Sequence, residues 1–112
     1  MQRIAFTMQV KEGCQAEYVR RHESVWPEVL HDMERAGMAK MSIFMKGREL
    51  FVYMEVADYA EAIRILARCP KSVRWEQQMA SMLESDTGQP YDSAHPYPQG
   101  LPEVFSWEAD GA

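Results

Sequence analysis

Four segments of the chain alternate apolar and polar side chains with a period of two, the spacing of a half-buried β-strand. These segments cover residues 3–11, 40–45, 50–56 and 101–107. The middle two are joined by Lys46-Gly47-Arg48-Glu49, which is typical of a hairpin turn. The pattern therefore predicts four strands, of which the second and third form a hairpin.

Helical segments occupy both intervals outside the hairpin. Residues 15–23 are rich in Glu, Arg and Gln, which favour helix. Pro27 suits the first turn of a second helix, and Gly37 suits the position just after its end. Asp58 heads a capping box that starts a third helix, and Pro70 can start a fourth.

The order of these elements, β-α-β-β-α-β, predicts an α+β fold of the ferredoxin-like type, with helices on one face of an antiparallel sheet. The 112 residues fit a single domain, 1–112. A loop rich in Pro, Gly, Asp and Ser is expected at about 85–100, before a C-terminal strand at about 101–107.

The face of the sheet without helices also carries apolar side chains, which need cover. They include Phe51, Tyr53, Phe105 and Trp107. We therefore expect a second subunit against this face, and hence a homodimer.

Charge and cysteine usage exclude several classes of protein. The net charge is −5, and no basic stripe of the kind that nucleic-acid-binding proteins carry is present. No run approaches ~18 apolar residues, so no membrane span is expected. Cys14 and Cys69 lack the CxxC spacing of a structural zinc site. Free thiols and a cytoplasmic location are expected.

Tyr18 and His22 are four residues apart, so on a helix they lie on the same face. A phenol beside an imidazole can donate and accept protons near neutral pH. The simpler alternative is a core tyrosine and a solvated histidine. Trp26 and Trp75 suit either packing or the apolar face of a sugar. No nucleotide-binding or nucleophile motif is present.

Three sequence segments resemble the L-rhamnose mutarotase family. They are Ala5-Phe6-Thr7-Met8-Gln9-Val10, Glu17-Tyr18-Val19-Arg20-Arg21-His22 and Val25-Trp26-Pro27-Glu28. The last two contain the pattern Y-x-R-R-H-x-x-x-W-P-E, which is highly specific to that family. The resemblance covers nearly the whole chain except a longer loop at 86–100.

The resemblance implies an isomerase of carbohydrate metabolism that interconverts the α and β anomers of a 6-deoxy-L-sugar. It implies a dimeric α+β barrel with no cofactor and no metal. It further implies that His22 is the catalytic acid/base, that the Tyr18 hydroxyl binds the sugar, and that Trp75 lines the pocket.

Two positions differ from the family pattern. Met41 stands where the family usually has a sugar-binding tyrosine, and Glu76 where it usually has a second tryptophan. Both positions belong to the substrate-binding pocket of the family, so the preferred sugar, L-rhamnose or L-fucose, stays open. Two other functions also stay open: a non-catalytic ligand-binding dimer and a cofactor-free monooxygenase-like barrel.

Overall fold

The computed structural model describes residues 1–85 and 97–109. Eight elements follow one another along the chain: β1 (Gln2–Val10), α1 (Gln15–His22), α2 (Pro27–Arg35), β2 (Met38–Lys46), β3 (Glu49–Val56), α3 (Tyr59–Leu66), α4 (Pro70–Ala80) and β4 (Leu83–Glu84). The predicted loop at 85–100 falls mostly on residues 86–96, which lie outside the described residues.

The four strands form one sheet in the order β2-β3-β1-β4, and each neighbouring pair is antiparallel. The register is continuous between β1 and β3, from Gln2 opposite Val56 to Gln9 opposite Glu49. The central strands are β3 and β1, with β2 at one edge and β4 at the other. This order confirms the predicted ferredoxin-like α+β class.

Alternation along the strands separates the two faces of the sheet. The side chains on the face that the helices cover are almost fully buried in β1 and β3, and they include Phe6, Val10, Leu50, Val52, Met54 and Val56. Helices contribute Val29, Ala62, Leu66, Trp75 and Met79 to the same core. Burial of this apolar surface is the main term that stabilises the fold.

Local signals fix where the elements begin and end. The Asp58 carboxylate accepts a hydrogen bond from the backbone N–H of Glu61 at 3.1 Å, as the predicted cap requires. Gly37 follows α2 with a φ of +93°, a conformation that disfavours other residues. Gly47 has a φ of +59° in the two-residue turn of the β2–β3 hairpin, as the first position of a type II′ turn demands.

The predicted C-terminal strand at 101–107 is wrong for the chain as described. The fourth strand is instead Leu83–Glu84, which pairs with Val10 and Gln9. The segment 101–107 forms one backbone hydrogen bond to the sheet, from Leu101 N–H to the Ala5 carbonyl at 2.8 Å. Alternation shows that a segment has two different faces, but a strand also needs a neighbour to pair with.

The face without helices is open over much of its area. Phe44 is 65% exposed there, and Phe51 is 40% exposed. The segment 101–107 reaches this face, where Arg3 binds Glu103 at 2.8 Å. Trp107 of the same segment is also largely exposed. Within residues 1–85 and 97–109, no helix is long and apolar enough to cross a membrane.

Candidate active site

A cavity of about 230 Å³ lies between the helix-covered face of the sheet and the helices α1, α2 and α4. It is smaller than the ~300–1,000 Å³ of pockets that hold drug-sized ligands, so it suits one small molecule. Most of its wall is apolar, with Phe6, Met8 and Val52 contributed by the sheet. A few polar groups on such a wall fix the orientation of a ligand.

The structure brings all five residues predicted for the site to this cavity. They are Tyr18, His22, Met41, Trp75 and Glu76. Three separate elements supply them, since α1 carries the first two, β2 the third and α4 the last two. Their roles stay predictions, but their convergence argues against a solvated His22.

The His22 imidazole has one ring nitrogen fixed by the backbone. Its Nδ1 lies 2.8 Å from the Tyr18 carbonyl oxygen. A carbonyl oxygen only accepts hydrogen bonds, so Nδ1 carries the proton. In the neutral imidazole this leaves Nε2 as the proton acceptor. The helical spacing of four residues creates this contact, since the side chain of His22 reaches back one turn.

Aromatic contacts hold the His22 ring in place. Its centroid lies 4.3 Å from the Tyr18 ring and 5.5 Å from the Trp75 ring, which it meets edge to face. Trp26 in turn packs edge to face on Trp75, with centroids 5.3 Å apart. Trp75 therefore lies on the cavity wall, while Trp26 supports it from behind. This packing role was one of the two alternatives for Trp26.

The Tyr18 hydroxyl is kept protonated by its surroundings. Burial, together with the nearby Glu76 carboxylate, raises the pKa of Tyr18 well above its ordinary value of 10. At neutral pH this phenol can donate a hydrogen bond to a ligand, but it does not ionise and cannot act as a base.

Glu76 is a carboxyl group in a mostly apolar wall. Burial raises its pKa from 4.5 to about 7, although a hydrogen bond with the Tyr97 side chain acts in the opposite direction. The raised value means that the protonated and ionised forms coexist near neutral pH. Met41, on β2 opposite Met54 of β3, offers the cavity a thioether, which cannot donate a hydrogen bond.

Tyr97 is a residue of the site that the sequence did not indicate. Burial is the main cause that raises its pKa above the ordinary value. Its ring meets Phe6 edge to face at 6.3 Å. Beside it, the Tyr59 hydroxyl donates to the Pro98 carbonyl at 2.7 Å. Tyr97 stands between two prolines in a loop without periodicity, so no pattern could assign it to the cavity.

The arrangement is suited to moving protons on a small neutral molecule. An imidazole, two protonated phenols and a carboxyl group that titrates near neutrality share one apolar cavity. In the part of the chain that the structure describes, no three His, Cys, Asp or Glu side chains come together as a metal site would need. Fold and site together define a small α+β protein with an acid–base pocket.

Comparison with known proteins identifies the family. The chain matches the L-rhamnose mutarotase family over residues 3–107. An L-rhamnose mutarotase from Opitutus terrae is 40% identical over 88 residues, which cover 77% of this chain and 84% of that protein. One from Listeria monocytogenes serotype 4b is 36% identical over 107 residues, which cover 94% and 97%.

A solved structure agrees with these sequence matches. The crystal structure of an L-rhamnose mutarotase from Formosa agariphila matches the chain with a TM-score of 0.76 at 26% identity. The match covers 96% of this chain and 100% of that one. The chain therefore belongs to the L-rhamnose mutarotase family, as the sequence resemblance predicted, and it is an enzyme of the isomerase class.

Proposed function

We propose that the chain interconverts the α and β anomers of L-rhamnose or of a closely related 6-deoxy-L-sugar. The observation that carries the proposal is the tautomer of His22, a residue that lines the cavity. With Nδ1 bound to the Tyr18 carbonyl, Nε2 is the ring atom left to exchange protons with a ligand. The small, apolar cavity with few polar groups suits a single neutral sugar ring.

The chemistry of a cyclic hemiacetal sets what the site must do. Ring opening removes a proton from the anomeric hydroxyl and delivers one to the ring oxygen, as the bond between that oxygen and the anomeric carbon breaks. The aldehyde rotates, and the ring closes on its other face. In this proposal His22 acts as the acid/base, and Tyr18 donates a hydrogen bond to the sugar. Positioned acid/base groups contribute ~10²–10⁴-fold.

The preferred sugar depends on Met41 and Glu76. Met41 removes a hydrogen-bond donor from the wall, and Glu76 adds a carboxyl group. A pocket built for one pattern of hydroxyls rejects another, because buried polar groups are then left unpaired. We therefore expect L-fucose to be exchanged at a rate at least comparable to that of L-rhamnose.

Two further features belong to the proposal. A homodimer would cover the exposed aromatic side chains of the open sheet face, Phe44 and Phe51. A cytoplasmic location is supported by Cys14 and Cys69, which are both free thiols.

The proposal is tested by adding the purified protein to a freshly dissolved single anomer. Optical rotation is followed for L-rhamnose and for L-fucose, against the protein-free rate. With wild type we expect faster equilibration of both sugars than without protein. In Glu76→Trp we expect a lower ratio of the L-fucose rate to the L-rhamnose rate. An unchanged rate for both sugars would contradict the anomer exchange. A tenfold preference for L-rhamnose that Glu76→Trp leaves unchanged would contradict only the specificity.

A further inference from the structure

Glu76 differs from every other acidic residue that the structure describes in lining the apolar cavity. On α4 it lies four residues after the buried Ser72 and three before the buried Met79, which places it on the buried face of the helix. An ionised carboxylate in such a place loses much of its hydration, and this loss is recovered only through charged or hydrogen-bonding partners. The partners available to Glu76 therefore decide its protonation state.

Those partners are few. Among the described residues on the cavity wall, the titratable groups that face Glu76 are Tyr18 and His22 from α1 and Tyr97 from the C-terminal segment. The described part of the wall contains no lysine or arginine. Tyr97 hydrogen-bonds the carboxyl group, and since its phenol stays protonated, its hydroxyl is the donor.

The anomer exchange involves two proton transfers, and a second titrating group beside His22 can share them. Two protons move at two different oxygens of one carbon, and Nε2 serves one of them at a time. Tyr18 cannot exchange the second proton, because its burial keeps the hydroxyl protonated. A second group that both gives up and regains a proton near neutral pH, placed beside the imidazole, allows the two transfers to occur together.

We propose that Glu76 is a second catalytic residue, which donates a proton to the ring oxygen while Nε2 of His22 removes the proton from the anomeric hydroxyl. The proposal rests on the anomer exchange proposed above. Tyr97 is then a positioning residue, which acts through its hydrogen bond to the carboxyl group.

The protons balance over one cycle. On opening, the anomeric O–H bond breaks and its proton passes to Nε2, while the C–O bond to the ring oxygen breaks and that oxygen takes the proton of Glu76. The open sugar is a neutral aldehyde with a hydroxyl, between an imidazolium and a carboxylate. After rotation, the hydroxyl attacks the other face, returns its proton to Glu76, and the new anomeric oxygen takes the proton from Nε2.

The test is the exchange rate of wild type and Glu76→Gln, measured from pH 5.5 to 8.5 with the protein-free rate subtracted. Gln keeps the shape and the hydrogen bond from Tyr97 but cannot give up a proton. We expect kcat to fall by ~10²-fold, with KM changed by less than about threefold. In wild type kcat should decline as pH rises through about 7, where Glu76 loses its proton, and the variant should lack this decline.

A matched control is Glu34→Gln, which removes an exposed carboxylate of α2 away from the cavity and should leave kcat and its pH profile unchanged. Wild-type kcat in Glu76→Gln, or a change in KM alone, would overturn the role of Glu76 while leaving the anomer exchange intact. The wild-type profile decides the matter even if the variant does not fold, because a flat profile between pH 6 and 8.5 also overturns it. Absence of exchange in wild type would overturn both proposals.

Discussion

The raised pKa of the Glu76 carboxyl makes the stability of the folded protein depend on pH. The folded protein holds its pKa at about 7, above the value of 4.5 that an exposed carboxyl has. The folded state therefore binds this proton more tightly than the unfolded state does. Below about pH 4.5 the ionisation of Glu76 does not change the free energy of unfolding. As pH rises from 4.5 to 7 this group lowers the free energy of unfolding, and above about pH 7 its effect is constant.

We predict that Glu76→Gln removes this pH dependence. Its free energy of unfolding relative to wild type should rise by up to about 3 kcal/mol between pH 4.5 and pH 7.5, since one pKa unit corresponds to about 1.4 kcal/mol. Urea unfolding at several pH values measures the difference. The exposed Glu34→Gln should show none. A constant difference between Glu76→Gln and wild type across this range would mean that the carboxyl is not desolvated.

Single residues of the site were predictable where a spacing or a motif carried the information. Tyr18 and His22 share a helix face, so their contact followed from four-residue spacing. Trp75, Met41 and Glu76 were placed by the family pattern and reach the same cavity. Tyr97 was not predictable, because its position depends on how the chain after β4 returns to Phe6, and no local pattern encodes that path.

The long strands were predictable from the sequence, and the two-residue strand was not. The alternation located β1, β2 and β3 to within about two residues, which is the usual uncertainty of element ends. Leu83–Glu84 is too short to show a period of two, so β4 was missed. The segment 101–107 has the period but lacks the partner strand, so it was wrongly predicted to pair.

The Asp58 cap offers a test at the scale of one element. We predict that Asp58→Ala lowers the free energy of unfolding by about 0.5–2 kcal/mol, because the N–H of Glu61 loses its acceptor at the start of α3. Asp58→Asn keeps an acceptor oxygen and should stay within a few tenths of a kcal/mol of wild type. Equal losses for both variants in urea unfolding would assign the effect to charge instead of capping.

At the scale of the whole molecule, the described residues leave one face of the sheet covered and the other open. Helices bury the first, and the second keeps Phe44 and Phe51 exposed beside the segment 101–107. Within that segment Val104 and Phe105 are also largely exposed. Apolar groups that cluster in this way indicate a surface that another protein covers, and a second copy of the chain would cover it symmetrically.

We predict a homodimer of twice 13.0 kDa in solution, held together through the open face. Phe51→Asp should produce monomers, because it places a charge on the covered aromatic surface. Val19→Asp changes another exposed apolar residue, on α1, and should stay dimeric. Light scattering at micromolar concentration distinguishes the two masses. A monomeric wild type would contradict the prediction, and a dimeric Phe51→Asp would place the interface elsewhere.

The central claim is that His22 exchanges protons with the anomeric centre of a 6-deoxy-L-sugar. Saturation-transfer NMR between the α and β anomeric proton signals of L-rhamnose, at equilibrium and with catalytic protein, measures that exchange directly. We predict fast exchange with wild type and a rate at least ~10²-fold lower with His22→Asn, which retains a side-chain donor but has no titrating nitrogen. A folded His22→Asn protein that exchanges the anomers at the wild-type rate would contradict the claim.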